Sequence, residues 1–355
     1  MNDILAEKLL AKVMEWEPEN LVKERFHVQM FANIKYNNYQ QYSQGMRYVE
    51  SLALWLKCFD QSDRSILYNF LKENLIYISE KQMRTLVEMS YPFYIKTKLL
   101  KKASLLSKKS VDNTAEMNQD ELCKILVKKS LFLGLSDGSH IDLFRRANTE
   151  LSNEQICVYY DMSENKFTDM IRSMPNTEII ANGFVNIFLL DDFSGSGISF
   201  IRKEGGKWKG KIIKFLERLE DHGIKTDTID LLLLLYISTS NALEYINTQL
   251  SKYKTEKGIT DAYNAEAIQI IDKPKINQEI KDLLKKYYEQ YGMNTIEDSH
   301  YKKGDYNTPF LGFNAGSLPL VIYHNTPNNA IPIIWFNNSD NYYGLFPRVT
   351  RHKDT

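Results

Sequence analysis

Two adjacent carboxylates close an apolar run in Ile187-Phe188-Leu189-Leu190-Asp191-Asp192-Phe193-Ser194-Gly195-Ser196-Gly197-Ile198-Ser199. Acids in that position can hold the hydroxyls of a sugar ring. The small residues that follow, Ser194, Gly195, Ser196, Gly197 and Ser199, can hold a phosphate. Glycine lets backbone approach a ligand closely, successive N–H groups form an anion nest, and serine hydroxyls add donors. A phosphorylated pentose suits both halves, with the acids on the ribose hydroxyls and the loop on the 5′-phosphate. If Ser199 and Phe200 open a helix, its dipole favours the phosphate further. Such chemistry needs a strand that ends where ligands bind. Ile187 to Leu190 reads as a buried parallel strand, and open α/β sheets place ligands beyond the carboxyl ends of their strands.

The elements that must carry this strand divide the chain in two. Residues 1–110 read as a helical domain. Leu5, Leu9, Leu10 and Val13 share a face, Leu52, Trp55, Leu56 and Phe59 recur at helical spacing, and Ile66, Phe70, Leu71 and Leu75 continue the pattern. Asp63 is expected to cap the helix of Ile66 to Phe70, and Ser79 the helix of Met83 to Val87, which Pro92 should end. Lys96 to Lys109 holds six lysines among Leu99, Leu100, Leu105 and Leu106. It reads either as a solvated helix face or as a surface for nucleic acid. The boundary is expected in the polar run Ser110 to Gln119.

Residues 120–355 alternate strands and helices, which predicts an α/β domain with a mostly parallel sheet. Leu131 to Leu135 leads into the turn residues Ser136-Asp137-Gly138-Ser139-His140. Ile141 to Ala147 reads as a helix, and Ser152 with Gln155 as a capping box for another. Trp208 to His222 is amphipathic with Gly223 as its C-cap. Leu231 to Ile237 is a further buried strand. Asn277 to Tyr291 predicts a helix, and Leu318 to Tyr323 and Ile331 to Phe336 predict late strands.

Composition narrows the setting. The chain has 45 basic and 45 acidic residues, so its overall charge favours no polyanion. Three cysteines without CxxC spacing suggest a reduced, cytoplasmic protein without structural zinc. The most apolar run, Ile229 to Ile237, is too short for a bilayer and contains Asp230, so no membrane association is expected. His27, His222, His300 and His352 have no partner spacing. Tyr36, Tyr39 and Tyr42 read as packing residues.

Three chemistries compete for the Asp-Asp-Phe-Ser-Gly-Ser-Gly stretch. A P-loop would need Gly-x-x-x-x-Gly-Lys-Ser/Thr, and Gly205-Gly206-Lys207 has the wrong spacing. An S-adenosylmethionine-dependent methyltransferase differs at one residue of its Asp-Pro-Phe-Ser-Gly-Ser-Gly loop, but its second motif is only half matched by Asn307-Thr308-Pro309-Phe310. The third resemblance is to type I phosphoribosyltransferases. Asp191 and Asp192 match their acidic pair, and Ser196, Gly197 and Ser199 the later half of their loop; Phe193, Ser194 and Gly195 depart from it.

Several further stretches resemble the phosphoribosyltransferase-like proteins of bacterial conflict elements, the PRTase-CE family, from about residue 30 to residue 348. They include Tyr42-Ser43-Gln44-Gly45-Met46-Arg47-Tyr48, Ser136 to Asp142 with Arg145-Arg146-Ala147-Asn148, His324-Asn325-Thr326-Pro327-Asn328-Asn329, Trp335 and Leu345-Phe346-Pro347-Arg348. The resemblance implies a type I phosphoribosyltransferase-like sheet behind an N-terminal helical domain. It implies a part in anti-phage defence, with a protein partner from the same operon. It implies binding of PRPP or a nucleotide, with transfer or hydrolysis at the ribose C1 if the protein is an enzyme. A non-catalytic nucleotide sensor and a nucleic-acid-binding defence component are the alternatives.

The resemblance also implies roles. Asp191 and Asp192 would be the catalytic acids, with magnesium bridging the ligand's hydroxyls and pyrophosphate. Ser194 to Ser199 would hold the 5′-phosphate. Ser136, Asp137, Gly138 and Ser139 would form the pyrophosphate loop. Arg145 and Arg146 either reach a phosphate or pair with Asp142 or Glu150. Asn325, Asn328 and Asn329 either read a base edge or form a hydrogen-bonded turn. Arg348 is a phosphate ligand or a docking residue.

Overall fold

The computed structural model describes residues 2–158, 169, 171–172, 174–175, 183–297, 301–304, 307–338 and 341–348. His300 and His352 lie outside the described residues. The chain forms two compact units, one of residues 83–272 and one of residues 1–82 with 273–355. The expected boundary at 110–120 therefore falls inside a unit. Its polar run is a surface element, the helix Thr114–Gln119, which Asn113 caps and which anchors itself by the fully buried Met117.

The 83–272 unit is built on five strands: β1 Ser130–Gly134, β2 Ile156–Val158, β3 Asn186–Ser194, β4 Asp230–Thr239 and β5 Tyr263–Ile271. All neighbours are parallel and the order is β2-β1-β3-β4-β5. Chain order and spatial order reverse between β1 and β3, so the topological switch point lies beside the two aspartates.

Period-two alternation explains why these strands are apolar on both sides. Leu131, Leu133, Ile187, Leu189, Leu231 and Leu233 face one way, onto Ile212, Phe215 and Leu216 of the helix Lys211–Asp221 and Ile246 and Leu250 of the helix Ser240–Lys257. Phe132 and Phe188 point the other way and stack at 5.3 Å, with Phe144 of the helix Ile141–Ala147 at 5.6 Å from Phe132.

The lysine-rich segment forms the helix Lys96–Ser107 and buries Leu99 and Ala103. Four of its six lysines are paired within the unit, Lys96 with Glu150 at 3.5 Å among them, while Lys101 and Lys108 are exposed. Lys98 meets Glu266 at 2.6 Å, Lys102 meets Asp230 at 2.7 Å, and Lys109 meets Asp120 at 2.8 Å. Those pairs fit the reading of a solvated helix face.

Several expectations are corrected. Pro92 does not stop its helix. Residues Ser90–Ile95 widen into a π-helical turn between the helices Glu80–Met89 and Lys96–Ser107, which accommodates a residue without an N–H. Ser152 caps only a short 3₁₀ turn, because Gln155 turns inward and donates to the carbonyls of Val127, Lys128 and Ser130. Asp63 is a helix residue held by Lys286 at 2.7 Å, while Asp60 occupies the N-cap. Ser79 and Gln82 do form a capping pair.

In the other unit, the helices Asp3–Met14, Pro18–Ile34, Tyr48–Lys57 and Gln61–Asn74 join the helix Gln278–Gln290 and a two-stranded parallel pair, Ile76–Ile78 with Leu320–Ile322. The residues Ile331 to Phe336 contain a short helix, Pro332–Trp335, rather than a strand. Phe346 centres the aromatic core. Tyr36, Tyr39, Tyr42, Tyr48 and Tyr77 surround it with centroids 5.2–5.9 Å away, so the expected packing role of the tyrosines holds.

Candidate functional site

The switch point brings the two aspartates against the turn that follows β1. Gly134 pairs with Leu190, so the chain leaves β1 one residue below Asp191. Ser136 then donates its hydroxyl to Asp191 Oδ1. Residues Asp137–Ser139 form a single 3₁₀ turn, and Gly138 lies against the Asp192 carboxylate: a Cβ on Gly138 would stand 2.5 Å from Asp192 Oδ2. A glycine is needed there because two pieces of polar chain meet closely. Ser139 is fully buried, and its carbonyl accepts from the Tyr236 hydroxyl at 2.7 Å.

The two acids have different environments. Asp191 is 1 % exposed, and its second oxygen receives the Lys211 ammonium at 2.5 Å. Burial pushes its carboxyl above the usual carboxylate range; Lys211 opposes that rise and the Asp192 charge adds to it. Asp191 is thus not open to a ribose hydroxyl, which corrects its expected role. Desolvation outweighs exposure at this position because β3 is central and covered on both faces. Asp192 is half-buried, accepts from the Phe193 N–H at 2.8 Å, and keeps a face toward the Gly138 turn. Tyr236 on β4 is fully buried beside both acids; burial first, then the two negative charges, drive its phenol well above the ordinary range.

The Gly/Ser loop is built around Gly197, whose φ of +77° excludes most side chains. A Cβ there would lie 2.9 Å from the Ala242 carbonyl and 2.8 Å from Ile246, so the loop is pressed onto the helix Ser240–Lys257. Ser194 is buried, and its hydroxyl oxygen accepts from the Gly197 N–H at 3.1 Å. Thr239 Oγ1 donates to the Gly195 carbonyl at 3.0 Å. Among the described residues, the N–H groups of Ser196, Ile198 and Ser199 meet no protein acceptor.

No helix begins at Ser199, contrary to expectation. Residues 198–200 make one turn that closes on the Gly197 carbonyl. The chain then runs into a hairpin, Arg202–Glu204 with Lys207–Lys209, turned by Gly205 and Gly206, both at positive φ. The helix begins only at Lys211, so its dipole does not face residues 194–199 as a continuation of the loop. What the loop offers an anion is backbone N–H groups and the exposed Ser199.

Other candidates fall elsewhere. Arg145 is exposed and paired with Asp142 at 3.0 Å, the ion-pair reading; Arg146 is exposed on the same helix. Asn325, Asn328, Asn329 and Arg348 belong to the other unit. There Asn329 is 5 % exposed and donates to the Phe313 carbonyl, the Asn328 carbonyl accepts from Phe313, and Asn325 Oδ1 accepts from the Thr326 N–H. These are turn contacts. Arg348 lies over the Trp335 ring at 5.5 Å, a docking contact. The sequence reading missed Lys211 and Tyr236. Neither has a local motif, because each reaches the acids only through the sheet and the crossover.

Among the described residues no three His, Cys, Asp or Glu side chains cluster to hold a metal ion. The oxygen donors at the acid end, Asp192, Asp137 and Ser136, are of the hard kind that magnesium takes, in a number that suits an ion carried largely by its ligand. No helix among the described residues is long and apolar enough to cross a membrane.

A parallel sheet whose switch point presents an acidic strand end and a Gly/Ser loop defines a phosphoribosyltransferase-like α/β protein. The PRTase-CE family model matches residues 52–348, most of the chain, and the chain belongs to that family. No curated protein matches it.

Proposed function

We propose that the 83–272 unit binds PRPP or a nucleotide through its ribose 5-phosphate. Asp192 takes the ribose hydroxyls. The N–H groups of Ser196, Ile198 and Ser199 take the 5′-phosphate, and the turn at Ser136 to Ser139 takes pyrophosphate or a second phosphate. The observation that supports this reading is the meeting of Gly138 with the Asp192 carboxylate at the switch point, which puts the turn after β1 beside the acid. Magnesium, if bound, would be held by Asp192 and Asp137 and would neutralise the charge of the ligand's phosphates.

In transfer or hydrolysis at the ribose C1, Asp192 favours the positive charge that develops on the ring as pyrophosphate or base leaves. A sensor reading, in which the bound nucleotide is signalled to a defence-operon partner without turnover, is favoured by one observation. Asp191 is withdrawn behind Lys211, which leaves one carboxylate for the developing charge.

Thermal unfolding with PRPP, nucleoside monophosphates and S-adenosylmethionine tests the reading. A ribose phosphate is expected to stabilise the protein by about 2.7 kcal/mol at a hundred times its Kd, and Asp192→Asn to remove that protection. Release of pyrophosphate or free base in the same mixtures separates enzyme from sensor. Protection by S-adenosylmethionine alone would overturn the reading.

A further inference from the structure

Lys211 stands where three pieces of the site meet. Its ammonium lies on one oxygen of Asp191, while the Ser136 hydroxyl occupies the other. Its backbone N–H donates to the Ser199 carbonyl at 3.0 Å, and the ammonium sits 5.0 Å from the Phe200 ring centroid. The loop, the strand end and the turn after β1 are therefore tied through one residue. Exposure is divided unequally within the ion pair. The Lys211 side chain is 32 % exposed and that of Asp191 1 %, so an incoming anion can reach the lysine but a ribose cannot reach the aspartate. Arg202, whose guanidinium reaches the Ile198 carbonyl of the loop at 3.4 Å, is paired with Glu204.

We infer that Lys211 supplies the positive charge that meets the ligand's phosphates, and that Asp191 is its positioning residue rather than a sugar-binding acid. The inference rests on the ribose-phosphate reading and names the group that gives that site its charge. The carboxylate takes the Ser136 hydroxyl proton on one oxygen and orients the ammonium with the other, so the charged donor is set before the ligand arrives. A phosphate shared between Lys211 and the turn gains a charge-assisted contact without ordering a free side chain.

Calorimetric titration of the full chain with inorganic pyrophosphate and with ribose 5-phosphate tests this. Lys211→Met is expected to weaken pyrophosphate by at least about tenfold, the scale of one charge-assisted hydrogen bond. Lys211→Arg should restore part of the loss. The double variant Asp191→Asn/Lys211→Met removes the stranded carboxylate and should be as weak as Lys211→Met, so a folding defect is separated from a lost contact. Asp192→Asn should weaken ribose 5-phosphate more than pyrophosphate, a split that general destabilisation would not produce. Pyrophosphate affinity at the wild-type level in the double variant overturns the inference. So does failure of pyrophosphate to bind a wild type that holds ribose 5-phosphate. If neither probe binds the wild type, the ribose-phosphate reading itself falls.

Discussion

Replacing Lys211 with methionine is expected to lower stability by about 3 kcal/mol, the cost of stranding a buried charge. Asp191 is sealed at 1 % exposure and has the Lys211 ammonium as its cation. Methionine matches the length of the lysine stem but, among the described residues, leaves the carboxylate the Ser136 hydroxyl and the Asp192 N–H as its donors. Removing both charges is a different case. Asp191→Asn/Lys211→Met should recover to within about 1 kcal/mol of wild type, because a neutral amide in the same place carries no uncompensated charge. Urea unfolding gives the size of the effect. Amide hydrogen exchange across Asn186–Ser194 shows whether the loss starts at β3. A single variant as stable as wild type, or a double variant weaker than the single, would show that the ion pair does not hold this strand end.

Gly138→Val should cut ligand protection to about half or less, with little effect on folding. The valine Cβ would fall 2.5 Å from Asp192 Oδ2 and 2.8 Å from its Cγ, closer than such atoms come. The carboxylate is half-buried and can turn away, so the cost to stability should stay within about 1 kcal/mol. The binding geometry cannot adjust as freely. A displaced acid and a displaced turn should weaken a ribose phosphate by at least about tenfold. Titration of the variant with PRPP checks this, and unchanged affinity would mean that the ligand does not depend on the packing of the Gly138 turn against Asp192.

How far the sequence reveals this site depends on distance along the chain. Ile187 to Ser194 reads as a buried strand with an acidic end because burial, alternation and the glycines that follow are all local. Ile141 to Ala147 and the Gly223 cap are legible for the same reason, and Gly223 does take positive φ. The pairing of Asp191 with Lys211 is not local. It spans a turn, a hairpin and a helix start, and nothing in Gly210-Lys211 marks that lysine as different from its neighbours. The sealing of Asp191 needs the sheet order, which sets β3 between β1 and β4. The closure of residues 1–82 by residues 273–355 is equally hidden, since Phe346 and the tyrosines around it are joined only by packing. The lysine-rich helix was ambiguous because Glu266 and Asp230, its partners, lie on strands far along the chain.

The claim on which the rest depends is that a ribose phosphate occupies the carboxyl end of the sheet between Asp192 and the Gly/Ser loop. A crystal structure of the chain with ribose 5-phosphate bound measures this directly. The pentose hydroxyls are expected on Asp192 and the phosphate on the N–H groups of Ser196, Ile198 and Ser199. A sugar phosphate bound away from the Asp192 carboxylate, with those N–H groups still turned to water, would contradict it.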